Sequence, residues 1–65
     1  MNNTYMTQRW TVEQFAELSS KYLLAAYNEL RDAYLAATDR GNNDEYSNLV
    51  MNMRDAKKTV LARMN

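Results

Sequence analysis

Two acidic side chains, Glu29 and Asp32, stand three positions apart, a spacing that puts them on one face of a helix. A carboxylate pair of this kind can serve acid–base chemistry or bind a hard cation. The sequence contains no His and no Cys, and no third ligand lies within helical reach of the pair. We therefore predict that both carboxylates are surface charges, and that the chain has no catalytic residue, cofactor or metal site.

A basic cluster near the C-terminal end could contact phosphate groups, and it comprises Arg54, Lys57, Lys58 and Arg63. Cations in the last turns of a helix also complement the helix dipole, and these could pair with Glu13 and Glu17 on a neighbouring helix. The chain carries eight basic and eight acidic residues, so it lacks the positive field on which non-specific nucleic-acid binding depends. We predict a solvated helix end, with nucleic-acid contact as the alternative.

The tyrosine and serine side chains also give no indication of a catalytic reaction. Four tyrosines could stack on bases, although helical spacing is more typical of a core or an interface rim. They are Tyr22, Tyr27, Tyr34 and Tyr46. Ser19 and Ser20 fall inside a predicted helix, where no neighbouring residue type could activate them. The sequence therefore predicts a protein that is not an enzyme.

The longest element that could position these residues runs from Thr11 to Asp39, without Pro or Gly and with apolar or small residues at helical intervals. Thr11 and Gln14 fit a capping box at its start. Trp10 and Phe15 fit the hydrophobic staple that accompanies such a box. We predict one continuous helix over about 11–39.

Gly41 and the two Asn residues after it predict a helix end and a new helix start, with a turn over 40–43. Apolar residues then recur every three or four positions, which predicts a second helix over about 44–64. A connection this short makes the two helices antiparallel neighbours. We predict an all-α fold: a two-helix hairpin forming a single domain over 11–65, preceded by a flexible tail over 1–10.

The first predicted helix is longer than the second, so its N-terminal turns and part of its apolar stripe have no partner within the hairpin. We expect this surface to contact a protein partner or a second copy, through Trp10, Phe15, Leu18, Leu24, Tyr27, Arg31, Tyr34 and Leu35. A chain of 65 residues without disulfides or metal buries little surface and gains stability from self-association. We therefore expect a homodimer, with coiled-coil packing in a four-helix bundle.

No apolar run approaches the roughly 20 residues of a membrane span, and no secretory signal pattern is present, which predicts a cytoplasmic protein without a membrane partner. Helical hairpins of this size recur among bacterial and phage regulators, an analogy at the level of the fold. We expect a regulator or inhibitor that docks an exposed helical face on a protein partner. The alternatives are a nucleic-acid-associated factor that uses the basic end of helix two, and a structural scaffold or assembly subunit.

Overall fold

Helices account for most of the chain in this computed structural model, which describes residues 4–38 and 44–64. A single turn of 3-10 helix, Thr4–Met6, precedes three α-helices: α1 is Val12–Ala16, α2 is Ser20–Ala36 and α3 is Asp44–Met64. None of the described residues forms a strand. The all-α class predicted from the sequence is therefore confirmed.

Helix α1 begins as its sequence predicts. The Thr11 hydroxyl accepts from the backbone N–H of Gln14 at 3.2 Å, and the Gln14 side chain accepts from the backbone N–H of Thr11 at 2.8 Å. These two bonds form the capping box. The staple is present as well, because the rings of Trp10 and Phe15 pack with their centroids 5.1 Å apart.

The single helix predicted over 11–39 is wrong, because the structure breaks it at Ser19. That residue is extended, with φ −62° and ψ 159°, and its hydroxyl accepts from the backbone N–H of Tyr22 at 3.4 Å as the N-cap of α2. Serine competes for backbone hydrogen bonds in this way, which favours helix starts over helix interiors. Helix α2 also ends earlier than predicted, at Ala36 rather than near Asp39, which lies outside the described residues.

Helix α3 covers the interval predicted for the second helix. It runs in the opposite direction to α2, as contacts at the two ends of the pair show. At one end, the rings of Tyr34 and Tyr46 stack with their centroids 6.1 Å apart. At the other end, the Arg63 guanidinium donates to the Ser20 hydroxyl at 3.4 Å. The predicted turn over 40–43 lies outside the described residues.

The core lies where α1, α2 and the 3-10 turn pack on α3. Its fully or nearly buried apolar side chains are Tyr5, Phe15, Leu23, Ala26, Leu30, Leu49 and Ala56. Tyr5 belongs to the interval 1–10, for which the sequence suggests a flexible tail. In the structure, residues 4–10 instead pack on the helices, because polar side chains of α3 bind their backbone; residues 1–3 lie outside the described part.

A helix that crosses a lipid bilayer needs about 20 mostly apolar residues. None of the described helices combines the length and the apolar composition that a membrane-crossing helix requires.

Candidate functional site

One side of the α2/α3 pair is covered by residues 4–10, which we call the N-terminal segment. Its own backbone forms a tight turn, in which the N–H of Gln8 donates to the carbonyl of Thr4 at 2.8 Å. The indole N–H of Trp10 donates to the Thr4 hydroxyl at 2.9 Å. Hydrogen bonds between its first and last residues therefore give the segment a defined fold of its own, and this folded segment packs on the helices.

Asn52 of α3 attaches this segment to the helices, and its side chain is fully buried. The amide nitrogen donates to the backbone carbonyls of Tyr5 at 2.7 Å and Gln8 at 2.6 Å. The amide oxygen accepts from the backbone N–H of Trp10 at 2.8 Å and from the Arg9 guanidinium at 2.9 Å. Every polar position of the carboxamide is used, so its burial carries no unpaired group.

The sequence analysis missed Asn52, although a signal for it was present. Asn48, Asn52, Asp55 and Thr59 recur at intervals of four, three and four, which marks a polar stripe beside the apolar stripe of α3. Asn52 and Thr59 are buried, and Asn48 donates to the carbonyl of Thr7 at 3.0 Å. Buried polar groups need hydrogen-bond partners: Asn48 and Asn52 find them in the backbone of the N-terminal segment, whereas the Thr59 hydroxyl donates to the Asp55 carbonyl within α3.

Arg9 extends this attachment to the outer surface of α3. Its guanidinium forms an ion pair with Asp55 at 2.5 Å and also donates to the backbone carbonyl of Trp10. Both charged side chains remain partly exposed, so the ion pair adds little stability by itself. Its effect is to fix the position of Arg9 beside Arg54 and Lys58.

Tyr5 connects the N-terminal segment to α2. Its hydroxyl donates to the Glu29 carboxylate at 2.9 Å, while its ring packs edge-on against Trp10 with centroids 5.4 Å apart. Burial raises the pKa of the Tyr5 hydroxyl to about 12, and the hydrogen bond and the negative charge of Glu29 act in the same direction. Glu29 thus supports the fold. Among the described residues, no group of three or more acidic side chains is placed to hold a metal ion, and this includes the surroundings of Glu29 and Asp32.

The N-terminal part of the predicted interface is turned inward. Phe15 is fully buried, and Trp10 and Leu18 are partly buried against the core. The expectation that these residues lie on an uncovered surface is wrong for Phe15, because the helix break brings α1 onto α3 and the N-terminal segment covers it. The Arg63 guanidinium holds this arrangement by donating to the Ala16 carbonyl at 2.6 Å.

The α2 part of the predicted interface does face outward. Leu24 is 48% exposed and Leu35 is 62% exposed, and Arg31 between them is also exposed. At about 100° per residue these three lie within about 40° of one another around α2. Tyr27 and Tyr34 lie between this row and the core and are partly buried.

Helix α3 carries a row of the same pattern. Val50, Lys57 and Leu61 have the spacing of Leu24, Arg31 and Leu35: an apolar residue, a cation seven positions later, and an apolar residue four positions after that. Leu61 is 51% exposed and Lys57 is exposed. Met64, at the end of the row, is 75% exposed.

The two rows lie on the same side of the helix pair. Viewed from the N-terminus of each helix, each row is rotated in the same direction away from the residues that form the buried α2/α3 contact. Because the two helices are antiparallel, this common rotation places both rows on one side of the pair. A groove of about 340 Å³ joins them at one end, where it is lined by residues of both helices, including Leu24 and Met64. The contacts of Tyr5 with Glu29 and Asn52 lie on the opposite side.

We name this surface the open face. It consists of the α2 rim (Leu24, Arg31 and Leu35), the α3 rim (Val50, Lys57 and Leu61), and Tyr27 and Met64 beside them. The N-terminal segment covers the other face of the pair. The open face therefore contains the predicted interface residues of α2 except Tyr34, which stacks on Tyr46. A row of α3 that the sequence analysis did not include joins them.

The predicted basic cluster does not form one patch. Its four residues are all exposed, but Arg63 is bound to the end of α1, and Lys57 lies on the open face. Arg54 and Lys58 line an outer cavity of about 290 Å³ together with Arg9 and Asp55. The structure thus adds a third cation and a carboxylate to this part of the surface.

The sequence and the structure were compared with known proteins. No protein family matches the chain, and neither a curated protein nor a solved structure shows significant similarity to it.

Proposed function

We propose that this chain is a small, non-enzymatic protein-binding module that docks its open face on a protein partner, as a regulator or inhibitor. The observation that supports this proposal is the asymmetry of the α2/α3 pair. One face is covered by the N-terminal segment of the same chain, and the other presents Leu24, Leu35, Leu61 and Met64 to solvent, each about half exposed or more.

Exposed apolar residues are common on proteins and need no explanation when they are scattered. Here they lie in two parallel rows on one side of a helix pair, with partly buried Tyr27 between the α2 row and the core. A shallow channel between two helices is a surface on which a third helix packs, as in helix-in-groove recognition. The function proposed is therefore occupation of a surface on another protein.

The test compares capture of proteins from an extract of the source organism by three forms of the chain. The first is the wild type, and the second is the double variant Leu24→Asp/Leu35→Asp, which places two carboxylates on the open face. The control is Tyr22→Asp/Met51→Asp, because those residues are 51% and 43% exposed but lie away from the open face.

We expect one partner to be retained by the wild type and the control and to be lost with Leu24→Asp/Leu35→Asp. That partner is then purified and its binding to each form is measured by calorimetry. Equal binding by all three forms would show that the open face is not the docking surface. All four substituted residues are exposed, so the thermal unfolding curves of both variants should stay close to that of the wild type.

Two other functions make different predictions. For a nucleic-acid-associated factor, the position of Arg9 beside Arg54 and Lys58 provides a cationic surface, although Asp55 offsets part of its charge. Duplex binding that weakens steeply with salt and is lost in Arg54→Glu/Lys58→Glu would favour this function. An open-ended series of masses in sedimentation would favour a scaffold or assembly subunit.

The homodimeric four-helix bundle stays a prediction. Two copies could pair through their open faces, which would cover Leu24, Leu35 and Leu61 symmetrically. Sedimentation equilibrium over a wide concentration range tests it: a mass that rises with concentration for the wild type but stays monomeric for Leu24→Asp/Leu35→Asp would support the dimer, and a constant monomer mass for both would contradict it.

A further inference from the structure

We infer that the occupant of the open face is an acidic amphipathic helix of a partner protein, with its apolar side between the two rims and its carboxylates against Arg31 and Lys57. This inference rests on the proposed function and specifies the chemistry of the partner. It follows from the charges of the open face, from its pattern and from its length.

Each rim carries one cation between two apolar residues. Arg31 stands between Leu24 and Leu35, and Lys57 stands between Val50 and Leu61, and both cations are exposed. Arg54 lies about 60° further round α3 from Lys57 and adds positive charge on that side. Among the described residues of α2, the carboxylate nearest to its rim is Asp32, which is turned about 80° away. The described acidic residues of α3 lie further from its rim, so the open face is cationic although the chain is neutral.

This charge pattern argues against a second copy as the occupant. A two-fold dimer through the open face would bring Arg31 and Lys57 of both copies together in the centre of the interface, with no carboxylate on either rim to pair with them. Like charges juxtaposed in a partly desolvated interface are unfavourable, and charge complementarity selects the partner. A partner that carries carboxylates at these positions turns the repulsion into two or more ion pairs.

The shape of the open face fits one helix. Helix α2 has 17 residues, which corresponds to about 25 Å at 1.5 Å per residue. A partner helix of about 16 residues would match that length and would present apolar residues at intervals of three and four toward the channel. Its residues flanking that stripe would then lie over the rims, where Arg31 and Lys57 stand on opposite sides.

The test uses three synthetic amphipathic peptides of about 16 residues that share one leucine stripe and differ only in the residues flanking it, which are Glu, Gln or Lys. Their affinities for the wild-type chain are measured by fluorescence anisotropy at low and high salt. We expect the Glu peptide to bind about tenfold more tightly than the Gln peptide, and the Lys peptide to bind most weakly. Added salt should reduce the difference between the peptides.

The decisive variant is Arg31→Glu/Lys57→Glu, and its matched control is Ala25→Glu/Met51→Glu/Lys58→Glu, which changes the net charge equally at exposed positions that lie about 80–100° from the rims. The first variant should prefer the Lys peptide, whereas the control should keep the preference for the Glu peptide. Equal affinities of the wild type for all three peptides, equal shifts in both variants, or no binding of any peptide would each overturn the inference.

The outcomes also separate this inference from the proposed function. If Leu24→Asp/Leu35→Asp abolishes capture of a partner while the peptides show no charge preference, the open face is a docking surface but its occupant is not acidic. A wild-type dimer that Leu35→Asp dissociates and that excludes the Glu peptide would make a second copy the occupant. Direct binding of duplex DNA to the wild type that competes with the Glu peptide and is itself lost in Arg31→Glu/Lys57→Glu would make nucleic acid the occupant; both results overturn the inference.

Discussion

The side-chain amide of Asn52 donates to the backbone carbonyl of Tyr5 over 2.7 Å, across 47 positions of the sequence, and neither residue is more than 2% exposed. The same carboxamide binds the backbone at Gln8 and Trp10. A single side chain of α3 thus pairs three backbone groups of the N-terminal segment, in addition to the bonds within the segment itself. This arrangement makes the stability of the fold depend on one polar residue.

Asn52→Ala should destabilise the protein by about 2–4 kcal/mol. It removes the hydrogen-bond partner of the buried Tyr5 carbonyl, and also those of the partly buried Gln8 carbonyl and Trp10 N–H. Urea unfolding followed by circular dichroism measures the change. Asn48→Ala is the control, because Asn48 is less buried and donates one bond, to the Thr7 carbonyl. We expect that variant to lose less than about 1 kcal/mol. Similar values for the two variants would contradict the central role of Asn52.

Tyr5 should make the stability depend on pH in the alkaline range. Its pKa is raised in the folded state from an ordinary value of 10.0 to about 12, so its contribution is fully present below pH 10 and is lost as the pH rises toward 12. Each pKa unit corresponds to about 1.4 kcal/mol, which gives a loss of about 2–3 kcal/mol across this range. Free energies of unfolding measured at about pH 9 and about pH 11 should differ by about 1–1.5 kcal/mol, half of the full loss, because pH 11 lies midway between the two pKa values.

The control for this effect is Tyr5→Phe, which keeps the ring in the core but removes the ionisable hydroxyl and its bond to Glu29. This variant should be less stable than the wild type at neutral pH by about 1 kcal/mol. Its free energy of unfolding should fall less between the two alkaline conditions. A wild type and a Tyr5→Phe variant with the same alkaline slope would show that other groups cause the pH dependence.

Phe15→Ala should destabilise the chain by about 3–5 kcal/mol, because the ring is fully buried and packs against Trp10 and Tyr5. Leu35→Ala is the comparison, since that side chain is 62% exposed, and its effect should stay within about 0.5 kcal/mol. Thermal unfolding measures both. The order of the two effects distinguishes this structure from a continuous first helix with exposed N-terminal turns, in which Phe15 would also tolerate substitution.

Deletion of residues 1–10 should abolish cooperative unfolding. The deletion uncovers Phe15 and leaves the Asn52 carboxamide without the backbone groups that it binds. The total stability of a domain of this size is about 3–10 kcal/mol, so losses of this kind are comparable to the whole. Calorimetry should show a broad transition or none. A sharp transition near the wild-type temperature would instead support the flexible tail suggested by the sequence.

The parts of the fold that the sequence predicts are those set by short-range signals. Thr11 and Gln14 are three positions apart, and the cap they form needs no other element. Helix α3 follows from an apolar stripe that repeats along its whole length, bounded by acidic residues at the start and Arg63 near the end. Both the cap and helix α3 were predictable because the residues that produce each of them lie within or next to the helix concerned.

The break at Ser19 and the position of the N-terminal segment have causes that lie far away in the sequence. Ser19 fits the apolar and small-residue pattern of a continuous helix, and neither Gly nor Pro marks the break. Burial of Phe15 under Tyr5 requires α1 to leave the axis of α2, and this tertiary gain outweighs the local preference for one helix. Leu24, Arg31 and Leu35 are exposed because they lie off the buried stripe of α2, and their part in an interface stays a prediction.

The bonds of Asn52 also set the order in which the molecule can acquire its structure. The backbone groups at Tyr5, Gln8 and Trp10 precede the side chain that binds them by more than forty positions of the sequence. Contacts of such sequence separation close large loops, which costs conformational entropy and slows folding. Residues 4–10 therefore cannot complete their native contacts until α3 has been synthesised, and until then the backbone at Tyr5 and Trp10 lacks the carboxamide that fixes it.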